Sequence, residues 1–357
     1  MYPIVMQKRA RLLARFAQQT AQAVTPTNLD ITEIRHFPVR EPVSGSRYSL
    51  LRITTRSGLI GWGESRYDPN ADVKALESAW IGRQANAYAT IPPSTPFRAA
   101  LDMASLDILG KAAKAPVYRI LGGPTRSKVR AYSHPYSAES PVAVVDVPTP
   151  VSRNQGKAYQ NRILELASTV PAERDFILAA KGLLTPGDAA SVARTVEAKH
   201  PLWFDEPCGH SNIDAVRKVA AETVVPLGFG ADIEDPGIFQ ALLREGLIDV
   251  VRPEIGIFGI DGTRRVAALA EPYYVAIAPH HGGGPVTTAA AIQIAASIPN
   301  FFIQHVPLPT AEEDRAMRRE IMTPALEAGK DGFLGVTKSP GLGIAVNEAA
   351  LEKYHAS

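Results

Sequence analysis

The chain has 357 residues, 45% of them hydrophobic and 21% charged, which excludes disorder and supports one large domain plus a smaller one. Its 38 Lys and Arg nearly balance 36 Asp and Glu, for a net charge of +2; no block of like charge marks a nucleic-acid or membrane surface, so a small partner is expected. No run approaches the roughly 18 apolar residues that span a bilayer, and the single cysteine, Cys208, excludes an internal disulfide or a multi-cysteine zinc site and favours a reducing, cytoplasmic setting.

Residues 1–29 carry Lys8, Arg9, Arg11 and Arg15 before the first acid, Asp30. Two readings stay open for this extension: a basic targeting leader, and an arm or helix packed on a neighbouring subunit. From Ile31 the pattern is that of strands, over Ile31 to Val39, Tyr48 to Thr55 and Leu59 to Glu64, with a turn at Arg56-Ser57-Gly58. This predicts a three-stranded meander. A helix follows from about Pro96 to Lys114, with Leu101, Ala104, Ile108 and Leu109 on one face, making residues 30–128 a small α+β unit.

Beyond residue 128, short apolar strands recur at Val129 to His134, Val142 to Val147, Phe176 to Ala180, Leu202 to Glu206, Leu227 to Ala231, Asp249 to Glu254, Tyr274 to His280 and Phe301 to His305. Helical patterns separate most of them, over Pro186 to Lys199, Asn212 to Thr223, Pro236 to Glu245, Asp261 to Glu271 and Pro285 to Ser297. Alternation of strand and helix implies parallel strands, and eight of them favour a closed barrel over 129–325, with 326–357 as a C-terminal segment. An open doubly wound sheet is the alternative, but no Gly-rich phosphate loop follows any strand. In a barrel the chemistry gathers where strands end. The polar ends here are Asp205-Glu206, Asp232, Arg252 with Glu254, His280-His281 and His305.

Several motifs together resemble the mandelate racemase and muconate lactonising branch of the enolase superfamily, from Ile31 to Tyr354. They are Gly61-Trp62-Gly63-Glu64-Ser65, Ala99-Ala100-Leu101-Asp102-Met103 through Asp107-Ile108-Leu109-Gly110-Lys111, and Leu121-Gly122-Gly123. Asp205-Glu206-Pro207, Ile248-Asp249-Val250-Val251-Arg252-Pro253, Ala267-Ala268-Leu269-Ala270-Glu271, Ala278-Pro279-His280 and Pro340-Gly341-Leu342-Gly343 complete the set. The resemblance implies an N-terminal capping domain, a modified TIM barrel of the (β/α)7β type and a C-terminal segment returning to the cap. It also implies self-association into a homo-oligomer and proton abstraction next to a carboxylate, with magnesium, Mg2+, on three strand-end acids stabilising the enolate. Such a carbon acid is far weaker than any side-chain base, so concentrated positive charge is needed beside it.

Carried over by position, the ligands fall at Ala179, Asp205 and Ala231, leaving one acid of three. A hard cation normally takes two or more carboxylates. Asp232 and Glu206 are adjacent acids that could serve as displaced ligands. The second strand, Val142 to Val147, lacks the family's lysine pair, and the stretch from His134 to Pro141 is too short for the usual first barrel helix, so this end is rebuilt or opened. His280 matches the family's seventh-strand histidine, and Glu254 stands where a carboxylate orients it. His305 replaces a glutamate that hydrogen-bonds the intermediate.

Lys181 follows Ala179 by two residues, so on an extended strand it would share that face and bring an ammonium into the vacated metal position, paired with Asp205. Its reaching into solvent is the alternative. Arg252 and His305 would add positive field. Arg47, Arg66 and Tyr67, in the cap loops, are candidates to meet a small carboxylate-bearing substrate. The expected function is an enzyme of hydroxy-acid or acid-sugar metabolism, a dehydratase or isomerase with His280 as base. A scaffold that has lost its chemistry is the competing expectation.

Overall fold

The structure is a computed structural model that describes residues 28–134, 140–327 and 329–356. The basic extension therefore lies outside the described residues except for its last two positions. No helix among the described residues is long and apolar enough to cross a membrane.

The meander forms as expected: β1 (Ile31–Arg40), β2 (Arg47–Thr55) and β3 (Ile60–Arg66) are antiparallel in that order. A short helix, α1 (Val73–Trp80), precedes the long α2 (Arg98–Ala112), and α3 (Val117–Ile120) follows it. α2 lies against β3 so closely that a Cβ on Gly61 or Gly63 would stand 2.1 or 1.9 Å from the carbonyl oxygens of Ala104 and Ala100. The two glycines are thus a packing requirement.

Eight strands then build the barrel: β4 (Lys128–Ser133), β5 (Val142–Asp146), β6 (Asp175–Ala179), β7 (Phe204–Asp205), β8 (Leu227–Phe229), β9 (Val250–Val251), β10 (Ala276–Ile277) and β11 (Gln304–Val306). β5 to β10 form one parallel ladder and β11 pairs in parallel with β4. A bridge between Ile277 and Phe301 joins the two groups. Helices follow seven of the strands: α4 (Lys157–Ser168), α5 (Pro186–Val196), α6 (Ile213–Ala221), α7 (Pro236–Arg244), α8 (Ile255–Ala270), α9 (Pro285–Ala295) and α10 (Glu312–Ile321). Among the described residues, no helix separates β4 from β5.

That end of the barrel is rebuilt. After β12 (Met322–Thr323), the C-terminal segment supplies β13 (Phe333–Gly335), antiparallel to β4 on the edge away from β11. The segment expected to return to the cap thus first adds a strand beside β4. It reaches the cap later, through Leu342 N–H on Asp107 and through α11 (Glu348–Lys353), whose Glu348 pairs with Arg35. β14 (Ala345–Val346) pairs with β12 on the way.

The strand ladders are shorter than the apolar runs that predict them. Val250–Val251 and Ala276–Ile277 are the regular parts of runs read as Asp249 to Glu254 and Tyr274 to His280. Beyond these ladders the chain turns toward the site, held by an isolated bridge between Glu254 and His280. Likewise α8 starts at Ile255, six residues before the predicted helix, with Gly259 interrupting it at φ 67°.

Buried acids join the cap to the rest of the chain, two of them, Glu64 and Asp102, at helix starts. Glu64 accepts from the backbone N–H of Gly284, Val286 and Thr287 and from the Thr287 hydroxyl, at the start of α9. Asp102 accepts from Ile260 and Asp261, just past the break in α8. Asp107 takes Trp62 N–H, Leu342 N–H and the Lys111 ammonium, the last at 2.7 Å. The partial positive charge of a helix start and its unpaired N–H groups favour a carboxylate there.

Candidate active site

A cavity of about 290 Å³ opens at the C-terminal ends of the barrel strands. Tyr132, Val144 and Ile177 are among its walls, and Ala179, Ala231, Asp205, Arg252, His280 and His305 bring the predicted positions together there. Parallel register aligns Asp146 with Ala179 and Ala179 with Asp205. Side chains at matched register on neighbouring strands project to the same side.

Ala179 and Ala231 offer no side-chain oxygen, and the remaining acid is already engaged. Asp205 forms an ion pair with Arg252, whose side chain is 3% exposed, and accepts from the Trp203 indole N–H at 3.1 Å. Arg252 also donates to the Tyr132 hydroxyl at 2.9 Å. Burial opposes its charge, but Asp205 holds the guanidinium protonated, well above the usual arginine range. Burial pushes the Tyr132 hydroxyl up to about 12, so it stays protonated.

The other two acids considered as ligands are also spoken for. Glu206 has a left-handed φ of 44° and turns its carboxylate to the N–H groups of Gly230 and Ala231, at 2.6 and 2.8 Å. Burial, then the charge of Asp205, pushes its carboxyl up to about 7. Asp232 is largely exposed and pairs with Arg66 at 3.2 Å. No group of three or more His, Cys, Asp or Glu disposed to hold an ion exists among the described residues. The donors present therefore do not fit the magnesium ion that the resemblance implies.

Lys181 does not form the expected pair with Asp205. β6 ends at Ala179, and Lys181 sits in a left-handed turn at φ 53°, so the shared-face argument for an extended strand does not reach it. Its ammonium lies 3.0 Å from Asp146, still at the cavity but 65% exposed. The other Asp146 oxygen is 2.8 Å from His134 Nε2. The His134 hydrogen bond, with help from Lys181, holds the Asp146 carboxyl down at about 2.

His280 and Glu254 come together as expected: Nδ1 of the histidine bonds the Glu254 carboxylate, which is fully buried. Burial alone would raise the glutamate, but His280 and, more weakly, Arg66 bring it down to about 2. This arrangement fixes the ring and leaves Nε2 to exchange a proton. His305 stacks on His280 with ring centroids 4.8 Å apart, and burial drives it well below the ordinary histidine range, so it is neutral. Its Nδ1 is buried without a hydrogen-bond partner among the described residues, as is Arg252 Nε.

The cap candidates stand outside the cavity wall. Arg66 ends β3 and donates to Ala231 O at 2.9 Å as well as to Asp232, with Glu254 3.8 Å away. Arg47 lies over the Tyr67 ring, 5.4 Å from its centre. Sequence reasoning missed Tyr132, His134 and Asp146. For Asp146 a signal existed: it is the polar residue that ends an apolar strand, as Asp205 is.

Residues 151–350 match the family model described as Enolase C-terminal domain-like. A D-galactonate dehydratase family member from Streptomyces bingchenggensis is 28% identical, over 87% of this chain and 90% of that protein. A D-gluconate dehydratase from Thermoproteus tenax is 25% identical, over 91% of this chain and 74% of that protein. The crystal structure of a mandelate racemase/muconate lactonizing enzyme from Jannaschia sp. CCS1 superposes with a TM-score of 0.80 at 23% identity, covering 92% of this chain and 98% of the other. With a barrel whose strand ends carry the histidine and its carboxylate, this match over more than half of its length means that the chain belongs to the enolase C-terminal domain-like family, in its mandelate racemase/muconate lactonizing branch.

Proposed function

We propose that the protein removes the proton next to the carboxylate of a hydroxy acid or sugar acid, with His280 as the base and Glu254 as the group that orients it. The observation that carries this reading is the His280–Glu254 pair, whose histidine lines one cavity together with Arg252 and His305. Positive charge beside the developing enolate is what the chemistry demands. Arg252 supplies it with a fixed, always protonated group, and His305 can donate a hydrogen bond. Lys181 adds a cation on the far wall. Since the donor set does not fit magnesium, this reading involves no step through a metal. The dehydratase names of the relatives favour elimination of water from a sugar acid over racemisation. A homo-oligomer is part of the same proposal by family resemblance alone.

The test is incubation with a panel of aldonates, including D-galactonate and D-gluconate, in heavy water. Proton NMR should show loss or exchange of the C2 proton, slowed about 100- to 10,000-fold in His280→Asn, the span of a positioned general base. Wild-type protein that neither exchanges nor consumes any member of the panel would overturn the reading and favour the scaffold expectation.

A further inference from the structure

The cavity holds a second histidine–carboxylate pair, and the α-proton step gives it no work. His134 follows β4, Asp146 ends β5, and their side chains meet at 2.8 Å. Lys181, following β6, holds the other oxygen of the same carboxylate at 3.0 Å. Both His134 and Lys181 line the cavity wall. Around the barrel, β11 with His305 separates β4 from β10 with His280, so the two histidine pairs reach one space from different directions. Three strands contribute to a polar cluster that no packing need explains, since His134 is 27% and Asp146 46% exposed. With Nε2 committed to Asp146, Nδ1 is the nitrogen of His134 left to exchange a proton.

We infer that His134 is the acid that protonates a departing β-hydroxyl, which makes the substrate a 2,3-dihydroxy carboxylate. This rests on the proposed α-proton chemistry. His280 takes the proton from C2, and the C–H electron pair forms the C2–C3 double bond. The C3–O bond breaks, its electron pair leaves with oxygen, and the His134 imidazolium gives that oxygen a proton, so water departs. The resulting enol becomes the 2-keto acid as His280 returns its proton to C3 and the enol O–H restores the proton on His134. Hydroxide is a poor leaving group and water a good one, so a positioned acid is worth about 100-fold or more. Lys181, on the same carboxylate, is 65% exposed against 27% for His134, so the histidine is the donor held at the cavity wall.

The experiment measures C2 deuterium exchange and water elimination separately, on D-galactonate and D-gluconate, with fluoride release from their 3-deoxy-3-fluoro analogues as a third readout. Fluoride needs less protonation to leave. For His134→Asn the expected result is elimination of water reduced about 100-fold or more, with C2 exchange and fluoride release within a few-fold of wild type. Retained exchange also shows that the variant is folded. Equal loss of all three activities, or undiminished water elimination, overturns the assignment of His134 while leaving His280 in place. A wild-type protein that neither exchanges nor eliminates overturns the proposed function itself, and this inference with it.

Discussion

The seam between cap and barrel and the cavity at the strand ends are both built from buried charged groups, yet the acids of the seam are met chiefly by backbone N–H groups and those of the cavity chiefly by charged side chains. At the seam, Glu64, Asp102 and Asp107 meet backbone N–H donors of the chain itself. In the cavity, Asp205 meets Arg252, Glu254 meets His280 and Asp146 meets Lys181. A buried polar atom left unpaired costs about 1–3 kcal/mol, and each acid of the seam avoids that cost through two or more donors. The lesson concerns the motifs: those in the cap that identify the family are stitching, and those that carry chemistry are where this chain departs.

The comparison is broken most severely at Arg252. Arg252→Met leaves Asp205 buried without its countercharge and Tyr132 without its donor, and should lower stability by about 3–5 kcal/mol. Adding Asp205→Asn should recover part of that loss. Urea unfolding of the single and double variants measures both, and equal stability of the two would show that the pair does not act as a unit.

The seam gives the next largest effect and carries a pH signature. Burial pushes the carboxyls of Glu64 and Asp102 up to about 7 against their hydrogen-bond donors. Between the ordinary carboxyl range and that value the folded chain holds more protons than the unfolded one, so stability falls as pH rises through this window. Glu64→Gln should flatten that slope, and Glu64→Ala, which strands the donors at the start of α9, should cost about 1–3 kcal/mol. Urea midpoints at pH 5 and pH 7.5 test both; an unchanged slope in Glu64→Gln would remove Glu64 as its source.

The smallest effect lies between the two regions. Arg66 ties the cap to Asp232 through a half-exposed pair, and such pairs contribute a few tenths of a kcal/mol to about 1. Arg66→Met should therefore leave the melting temperature almost unchanged while loosening the Ala231 carbonyl at the cavity edge. A strong stability loss would mean that Arg66 belongs to the seam.

Much of this was legible before the structure. Strand-ending polar residues pointed to Asp205, Arg252, His280 and His305, which meet in one cavity, and to Glu254 bonded to His280, because a parallel barrel brings equivalent strand ends to one face. What failed did so at chain bends. The argument for Lys181 assumed an extended strand, and a left-handed residue there redirects the side chain to Asp146. The engagement of Asp205 by Arg252 joins residues 47 positions apart, which no local pattern encodes. β13, inserted from the C-terminal segment beside β4, follows from tertiary pairing and has no signature in its three residues.

The central claim is that a guanidinium–carboxylate pair stands where the family places its metal. Calorimetric titration of the purified, metal-stripped protein with magnesium tests it most directly. The account predicts no heat of specific binding at millimolar magnesium. A stoichiometric site with micromolar affinity would contradict it and would mean that Asp205 is released from Arg252 to serve as a ligand.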